Sequence, residues 1–179
     1  MAAKPVKTPA GPAPEQAPAG TGRRTGSTQV VVFALGKEQY AIDLFDVREV
    51  VEYTTITRLP SVPPYVMGII DLRGEITTII DLRHRLNIPT TTGDAQETSR
   101  IIVLDSAITR SKTGILVDDV TSVSTFEASQ VDYTSASANN DNTAIIGIIK
   151  KKVRVQEKET NELIIWIDIR QLLGDAETA

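Results

Sequence analysis

The chain has 179 residues, of which 41% are hydrophobic, and a formal net charge of −4, so it holds enough apolar material for one large or two small globular domains and has no general attraction to polyanions. It contains no cysteine, which excludes disulfides and thiolate metal sites. No apolar run approaches the roughly 20 residues of a membrane-spanning helix, and the start lacks the apolar core of a secretory signal, so we expect a cytoplasmic protein.

The first 27 residues differ in composition from the rest of the chain. They consist mostly of Pro, Ala, Gly and Thr with a few charges, and such segments bury too little apolar surface to offset the entropy of ordering. We therefore expect a disordered tail over residues 1–27, a folded region over 28–173 and a short C-terminal tail over 174–179.

The folded region begins with two predicted strands. Residues 30–35 form a continuous apolar run that is typical of a strand buried on both faces, and Gly36-Lys37 suits a tight turn into a second strand over 39–42. Asp43 is a candidate N-cap. After it, the i, i+3, i+7 spacing of Leu44, Val47 and Val51 predicts a short helical turn with these three side chains on one face.

The next segments predict a connector and several hairpins. Three prolines exclude a central strand over 60–67, and residues 68–72 are predicted to pair with 75–80 across the turn Arg73-Gly74. Further strands are predicted at 100–105, 113–117 and 120–126, followed by a loop at 139–142 and a hairpin of 144–152 with 162–167. Its tip carries the charged run 150–159, which we interpret as a solvated ribbon.

A repeated motif indicates internal duplication. Ile-Ile-Asp-Leu-Arg occurs at 69–73 and at 79–83, and Ile-Asp-Ile-Arg follows at 167–170. We interpret the chain as two similar modules, about 28–88 and 99–173, in which Asp81 and Asp168 cap short helices at 83–86 and 170–173. Many short strands with little helix favour sheets closed into small barrels.

Catalysis is poorly supported by the residue types. The single histidine, His84, lies between two arginines, where positive charge opposes its use as a proton acceptor, so we expect an exposed helical residue. No phosphate-binding glycine motif is present. Asp118 and Asp119 are adjacent strand residues that point to opposite faces and lack the spaced oxygen ligands of a Ca²⁺ or Mg²⁺ site. The sequence predicts neither an enzyme, nor a metal site, nor a cofactor.

One alternative function is a small barrel that binds single-stranded nucleic acid or a small ligand. Such barrels combine aromatic platforms with a basic groove, and the candidate contact is the Lys-rich ribbon at 150–158. Its glutamates dilute its charge, while Tyr40 and Trp166 lie in apolar strands where we expect core positions.

A family resemblance emerges from five motifs that occur in order. They are residues 36–43 (GKEQYAID), 47–50 (VREV), 58–60 (RLP), 68–74 (GIIDLRG) and 79–83 (IIDLR). Together they resemble the CheW family of chemotaxis coupling proteins over about residues 29–173. The resemblance implies two intertwined five-stranded β-barrels packed together, and a non-enzymatic adaptor without cofactors.

The resemblance also implies partners and contact residues. The partners are the cytoplasmic tips of chemoreceptors and the regulatory domain of the histidine kinase CheA, with no nucleic acid and no direct membrane insertion. The protein would be cytoplasmic and recruited to membrane-bound receptor arrays. Because no receiver or ATP-binding segment is recognised, we expect a stand-alone adaptor rather than a detached kinase regulatory domain.

Val47, Glu49, Arg73 and Gly74 are the residues to which the resemblance assigns receptor or kinase binding. Arg73, at a hairpin turn, can offer a planar fork of donors to a carboxylate or carbonyl. The alternative is that Arg73 only pairs at the surface with Asp71 or Glu75, and that Val47 and Gly74 serve the core and the turn. Glu49 is expected to be exposed in either case, and the second module is expected to supply most of the kinase contact.

Overall fold

The computed structural model describes residues 26–89, 97–133 and 144–174, and within them the protein is mainly β. The strands are β1 Ser27–Leu35, β2 Glu38–Asp43, β3 Val47–Glu52, β4 Val66–Leu72, β5 Glu75–Asp81, β6 Arg100–Leu104, β7 Thr113–Val117, β8 Asp119–Glu127, β9 Val131–Asp132, β10 Ile145–Val155 and β11 Lys158–Ile167. The helices are α1 Leu82–Arg85 and α2 Ile169–Gly174, and 3-10 turns span Leu44–Asp46 and Ala128–Gln130. The predicted loop at 139–142 and nearly all of both predicted tails lie outside the described residues.

The strands form two sheets, and each sheet combines strands from both halves of the chain. One sheet has the order β8-β1-β2-β11-β10-β9, and the other has the order β3-β6-β7-β5-β4. The halves are therefore intertwined, as the resemblance implied. The second sheet has the expected five strands, whereas the first has six because it includes the two-residue strand β9.

Three hairpins close with two-residue turns, and the sequence predicted all three pairings. The turns fall at Gly36-Lys37, at Arg73-Gly74 and at Gln156-Glu157, where the register joins Leu35 to Glu38, Leu72 to Glu75 and Val155 to Lys158. Both residues of the second and third turns have positive φ, the backbone that matches the twist of tightly connected strands. The third hairpin is longer than predicted, since β10 and β11 extend to its tip.

The buried side chains divide into three clusters, which explains why so many strands are apolar on both faces. A central cluster takes members from both sheets, including Phe33, Tyr40 and Ile115. A second cluster around Trp166 takes its members from the six-stranded sheet alone, and a third around Ile79 takes them from the five-stranded sheet alone. Each sheet thus packs one face against the other sheet and encloses a core of its own on the opposite face. The predicted core positions of Tyr40 and Trp166 are confirmed.

The predicted helical turn after Asp43 is only partly correct. The Asp43 carboxylate does accept a hydrogen bond from the Phe45 backbone N–H at 3.1 Å, as a cap should. The turn ends at Asp46, however, and Val47 already begins strand β3. Val47 and Val51 share a face because strand side chains repeat every two residues, not because of a helical spacing.

The two edge strands of each sheet follow one another in the chain. In the six-stranded sheet β8 leads to β9 through the 3-10 turn Ala128–Gln130. In the five-stranded sheet the chain leaving β3 pairs with β4: Thr57 and Ile69 exchange two backbone hydrogen bonds of 2.9 Å. Gly68 permits this approach, because a Cβ atom at that position would lie 2.1 Å from the Thr57 carbonyl oxygen.

Two of the ion pairs that join the halves use arginines of the repeated motif, Arg83 and Arg170. Arg83, at the start of α1 in the first half, donates to Asp118 in the second half at 2.6 Å. Arg170, in α2 of the second half, donates through Nε to Asp46 in the first half at 2.9 Å. Both arginines follow the aspartates that cap their helices, Asp81 and Asp168, which confirms the predicted caps. The duplicated motif therefore ties each half to the other.

Candidate docking surface

The surface predicted from the resemblance lies where the β4–β5 turn meets β3. Along β3, Val47, Glu49 and Val51 are partly buried, while the residues between them are exposed. A bulge leaves Arg48 without a partner in β6, because Val47 pairs with Leu104 and Glu49 already pairs with Val103. Bulges bend a strand and re-aim its side chains, and here the bulge adjoins Glu49.

Arg73 and Glu49 form a bidentate ion pair on this surface. Arg73 donates from Nη1 to Oε1 at 3.1 Å and from Nη2 to Oε2 at 2.8 Å. The Arg73 side chain is 72% exposed and that of Glu49 is 24% exposed. Since β3 and β4 are the two edges of the five-stranded sheet, this pair spans the same gap that Thr57 and Ile69 bridge. The structure thus brings together two of the four predicted residues through direct contact.

The turn that presents Arg73 is held in an uncommon backbone conformation. Arg73 has φ 53° and Gly74 has φ 83°, and the left-handed region is costly for a residue with a side chain. The Gly74 backbone N–H donates to Asp71 Oδ1 at 2.7 Å, which supports the turn. The two-residue hairpin turn requires this backbone, and it fixes the direction in which the guanidinium leaves the turn.

Two of the sequence-based expectations about these residues are wrong in detail. The surface partner of Arg73 is Glu49, 24 residues away, and not Asp71 or Glu75. Asp71 is engaged with the turn, and Glu75 pairs with Lys112. Glu49 is partly buried rather than exposed, because its position on β3 faces inward. Val47 packs against the central cluster, so it has a core role whether or not a partner touches it.

Exposed apolar side chains accompany the ion pair, and the sequence did not single them out. Val50 follows Glu49 on the outer side of β3 and is 41% exposed. Ile76, in the strand that follows the turn, is 61% exposed. They could have been found in the sequence as apolar residues at strand positions where the alternation of buried and exposed side chains predicts polar residues. They add exposed apolar surface to the strand that carries Glu49 and to the strand that follows Arg73.

Burial affects the pKa values of the two partners in the Asp46–Arg170 ion pair unequally. Burial raises the pKa of Asp46, and the hydrogen bond and charge of Arg170 only partly counteract it. The pKa of Arg170 is raised by the hydrogen bond and charge of Asp46. The two pKa shifts have different causes because Asp46 is enclosed and loses hydration, whereas the Arg170 side chain is 55% exposed and responds mainly to its partner.

Of the residues considered for catalysis or metal binding, Asp118 has a structural role. His84 is exposed on α1, as expected. Asp118 accepts hydrogen bonds from the Gly36 backbone N–H and from Arg83, both at 2.6 Å, so its carboxylate is occupied. Among the described residues, no group of three or more His, Cys, Asp or Glu side chains is arranged to hold a metal ion. No helix in the described parts of the chain is both long and apolar enough to cross a membrane.

Comparison with known proteins places the chain in a family. The model of the CheW-like domain matches residues 29–177. The chemotaxis protein CheW of Bacillus subtilis (strain 168) is 34% identical over 133 residues, which cover 74% of this chain and 82% of that protein. The chemotaxis protein CheW of Klebsiella aerogenes is 30% identical over 159 residues, covering 87% of each.

A solved structure agrees with these sequence relatives. The crystal structure of the scaffolding protein TtCheW from Thermoanaerobacter tengcongensis superposes with a TM-score of 0.62 at 31% identity, covering 83% of this chain and 88% of that one. These relatives give no support to the alternative of a nucleic-acid or small-ligand module. Motifs, intertwined sheets and relatives agree, and the chain belongs to the CheW family of chemotaxis proteins.

Proposed function

We propose that this protein is a non-enzymatic adaptor that couples chemoreceptors to the histidine kinase CheA in chemotaxis signalling. The observation that carries the proposal is the CheW-like match over residues 29–177, together with relatives named as chemotaxis and scaffolding proteins. The partners are the cytoplasmic signalling tips of the receptors and the regulatory domain of CheA. Its site of action is then the cytoplasmic side of membrane-bound receptor arrays, to which the partners recruit it.

The binding residues of this proposal are Val47, Glu49, Arg73 and Gly74. A guanidinium has five N–H donors in a fixed plane, and two of them reach Glu49. The remaining donors of Arg73 point away from that carboxylate, and the side chain is largely exposed. Glu49 therefore orients the fork before a partner arrives, which lowers the entropy cost of binding. Gly74 contributes through the turn geometry, and Val47 through the position of β3.

A finer proposal concerns the architecture: each sheet is curled into a small barrel, and the two barrels are the modules at about 28–88 and 99–173 with exchanged strands. Two features support it. Each sheet encloses a core whose members come from that sheet alone, and the edge strands of each sheet are consecutive in the chain. In the five-stranded sheet, the Thr57–Ile69 bridge and the Arg73–Glu49 pair both span the gap between the edges. Closure removes exposed strand edges.

We further propose a division of labour in which the second module supplies most of the kinase contact and the first supplies the receptor contact. The support is positional: the predicted binding residues all belong to the first half of the chain. Exchanging the second half with that of another CheW protein and measuring both affinities tests this division. Kinase affinity that follows the first half would overturn it.

Reconstitution of the signalling complex tests the adaptor function. Purified protein is mixed with CheA and a receptor signalling fragment, and the rate of kinase autophosphorylation is followed with and without the receptor. We expect receptor control of the kinase only when the adaptor is present, and its loss when Arg73 is changed to alanine. Arg154→Ala, a matched loss of one exposed arginine on the distant β10–β11 hairpin, should retain control. Receptor control that is unaffected by omitting the adaptor would refute the proposal.

A further inference from the structure

A groove lies at the open side of the six-stranded sheet, remote in the chain from the docking surface at Arg73. It has a volume of about 570 Å³ and is lined on one side by Ser124, Thr125 and Phe126 of β8 and on the other by residues 150–152 of β10. Phe126 is only 5% exposed and belongs to the core cluster around Trp166. Phe126 is thus the one apolar residue among the described residues that line the groove, and the others are polar or charged.

Both walls of the groove are strand edges without a neighbouring strand among the described residues. β8 pairs only with β1, so its other edge is open. β9 pairs with β10 only at Ile148 and Ile149, and from residue 150 onward that edge of β10 is open as well. An extended segment placed in the groove would find unpaired backbone N–H and C=O groups, which are a template for strand addition.

The charge of the groove is positive although the chain as a whole is acidic. Lys150, Lys151 and Lys152 all contribute to its lining. Lys150 pairs with Asp132 at 3.5 Å. Lys151 and Lys152 have no ion pair within the parts of the chain that the structure describes, although Glu162 stands opposite Lys151 in the hairpin register. Two ammonium groups are therefore available to a ligand, beside the hydroxyl groups of β8.

From this geometry we infer a second binding site, in which an extended acidic peptide segment of a partner protein adds as a strand between β8 and β10. Backbone pairing with the two open edges supplies most of the contact. Lys151 and Lys152 are adjacent in β10 and point to opposite faces, so acidic side chains on either face of the segment meet one of them. A sheet whose open edges face one another in this way can accept a strand from another chain.

The test uses a defined probe, a fluorescein-labelled, end-capped decapeptide of alternating Glu and Thr, and its counterpart of alternating Gln and Thr. Fluorescence anisotropy with the full chain should show binding of the Glu peptide and at least tenfold weaker binding of the Gln peptide. The variant K151Q/K152Q should weaken the Glu peptide about tenfold, since it removes the lysine that the glutamates meet whichever face of the added strand they occupy. The matched variant R154Q/K158Q removes two positive charges from the same hairpin outside the groove and should stay within twofold of the wild type.

Two further measurements separate strand addition from simple charge attraction. Methylation of alternate backbone nitrogens of the Glu peptide should weaken binding at least tenfold, because it removes the N–H groups that pair with an edge. Bound peptide should also slow hydrogen exchange of the amides at 124–126 and 150–152, which line the groove. Four results would each overturn the inference. They are equal binding of the Glu and Gln peptides, equal losses of affinity in the K151Q/K152Q and R154Q/K158Q variants, an unchanged affinity for the methylated peptide, and displacement of the peptide by oligo-dT at an equal concentration.

Discussion

The ion pair between Arg83 and Asp118 provides the sharpest test of how the two halves are held together. Asp118 lies between β7 and β8, and its two carboxylate oxygens accept from Arg83 in α1 and from the Gly36 backbone N–H in the β1–β2 turn. One side chain of the second half therefore fixes two elements of the first. We expect Asp118→Ala to release both and to destabilise the whole fold.

The magnitude follows from the burial of the two partners. A hydrogen bond to a charged group contributes about 1.5–3 kcal/mol, and removing one partner of a fully buried ion pair costs about 3–5 kcal/mol. The Arg83 side chain is 15% exposed, but that of Asp118 is 36% exposed and therefore screened by water. Asp81, 3.7 Å from Arg83 Nε, still balances part of the charge in the variant. The expected loss is thus about 2–3 kcal/mol, or about 5–10 °C in Tm for a chain of this size.

Urea unfolding followed by circular dichroism measures this loss, and the neighbouring aspartate supplies the control. Asp119 carries the same charge, yet it has no side-chain hydrogen bond or ion pair among the described residues, so Asp119→Ala should change stability by no more than about 0.5 kcal/mol. A double-mutant cycle with Arg83→Met, which keeps the aliphatic stem, should give a coupling energy of about 1–2 kcal/mol. Equal losses for the two aspartate variants, or a coupling energy near zero, would refute the interlock.

Other consequences of the structure are open to measurement. Arg73→Ala should weaken binding of a receptor signalling fragment about tenfold. It should lower the free energy of unfolding by less than about 1 kcal/mol, because the ion pair of Arg73 is largely exposed. A loss of stability without a loss of affinity would assign Arg73 to the fold alone. The raised pKa of Asp46 means that its favourable contribution is present below the ordinary aspartate value of about 3.9 and is lost as pH rises through the raised value. In urea titrations Asp46→Asn should therefore gain stability relative to wild type as pH increases over that window, and a constant difference would contradict the shift. Gly68→Ala should lower the unfolding free energy by more than about 2 kcal/mol, since its Cβ would collide with the Thr57 carbonyl. Gly74→Ala, with open space around it, should lower it by only the conformational cost of about 1 kcal/mol. Similar losses at both glycines would show that the backbone conformation, and not the close approach to Thr57, determines the cost.

Much of the local structure was readable because it depends on neighbours in the chain. The hairpins at Gly36 and Arg73-Gly74 follow from turn residues placed between apolar runs, and the caps at Asp81 and Asp168 follow from a side chain that reaches the next backbone N–H groups. The prediction of a helical turn after Asp43 was only partly correct because it, too, relied on local spacing. Leu44, Val47 and Val51 fit a helical spacing and also fit a strand, and only pairing of β3 with β6 selects the strand.

The sequence by itself determined the mainly β class, the turns at Gly36-Lys37 and Arg73-Gly74, many of the buried strands and the family, because apolar patterns and turn chemistry are properties of short segments. Tertiary structure alone decided which distant residues meet. Arg73 pairs with Glu49 rather than with its neighbours Asp71 and Glu75, whereas Arg83 and Arg170 pair with the opposite half of the chain. The lysines of β10 face the open edge of β8. Such contacts depend on strand order and sheet curvature, which are set by burial of all three cores together and cannot be read from any single segment.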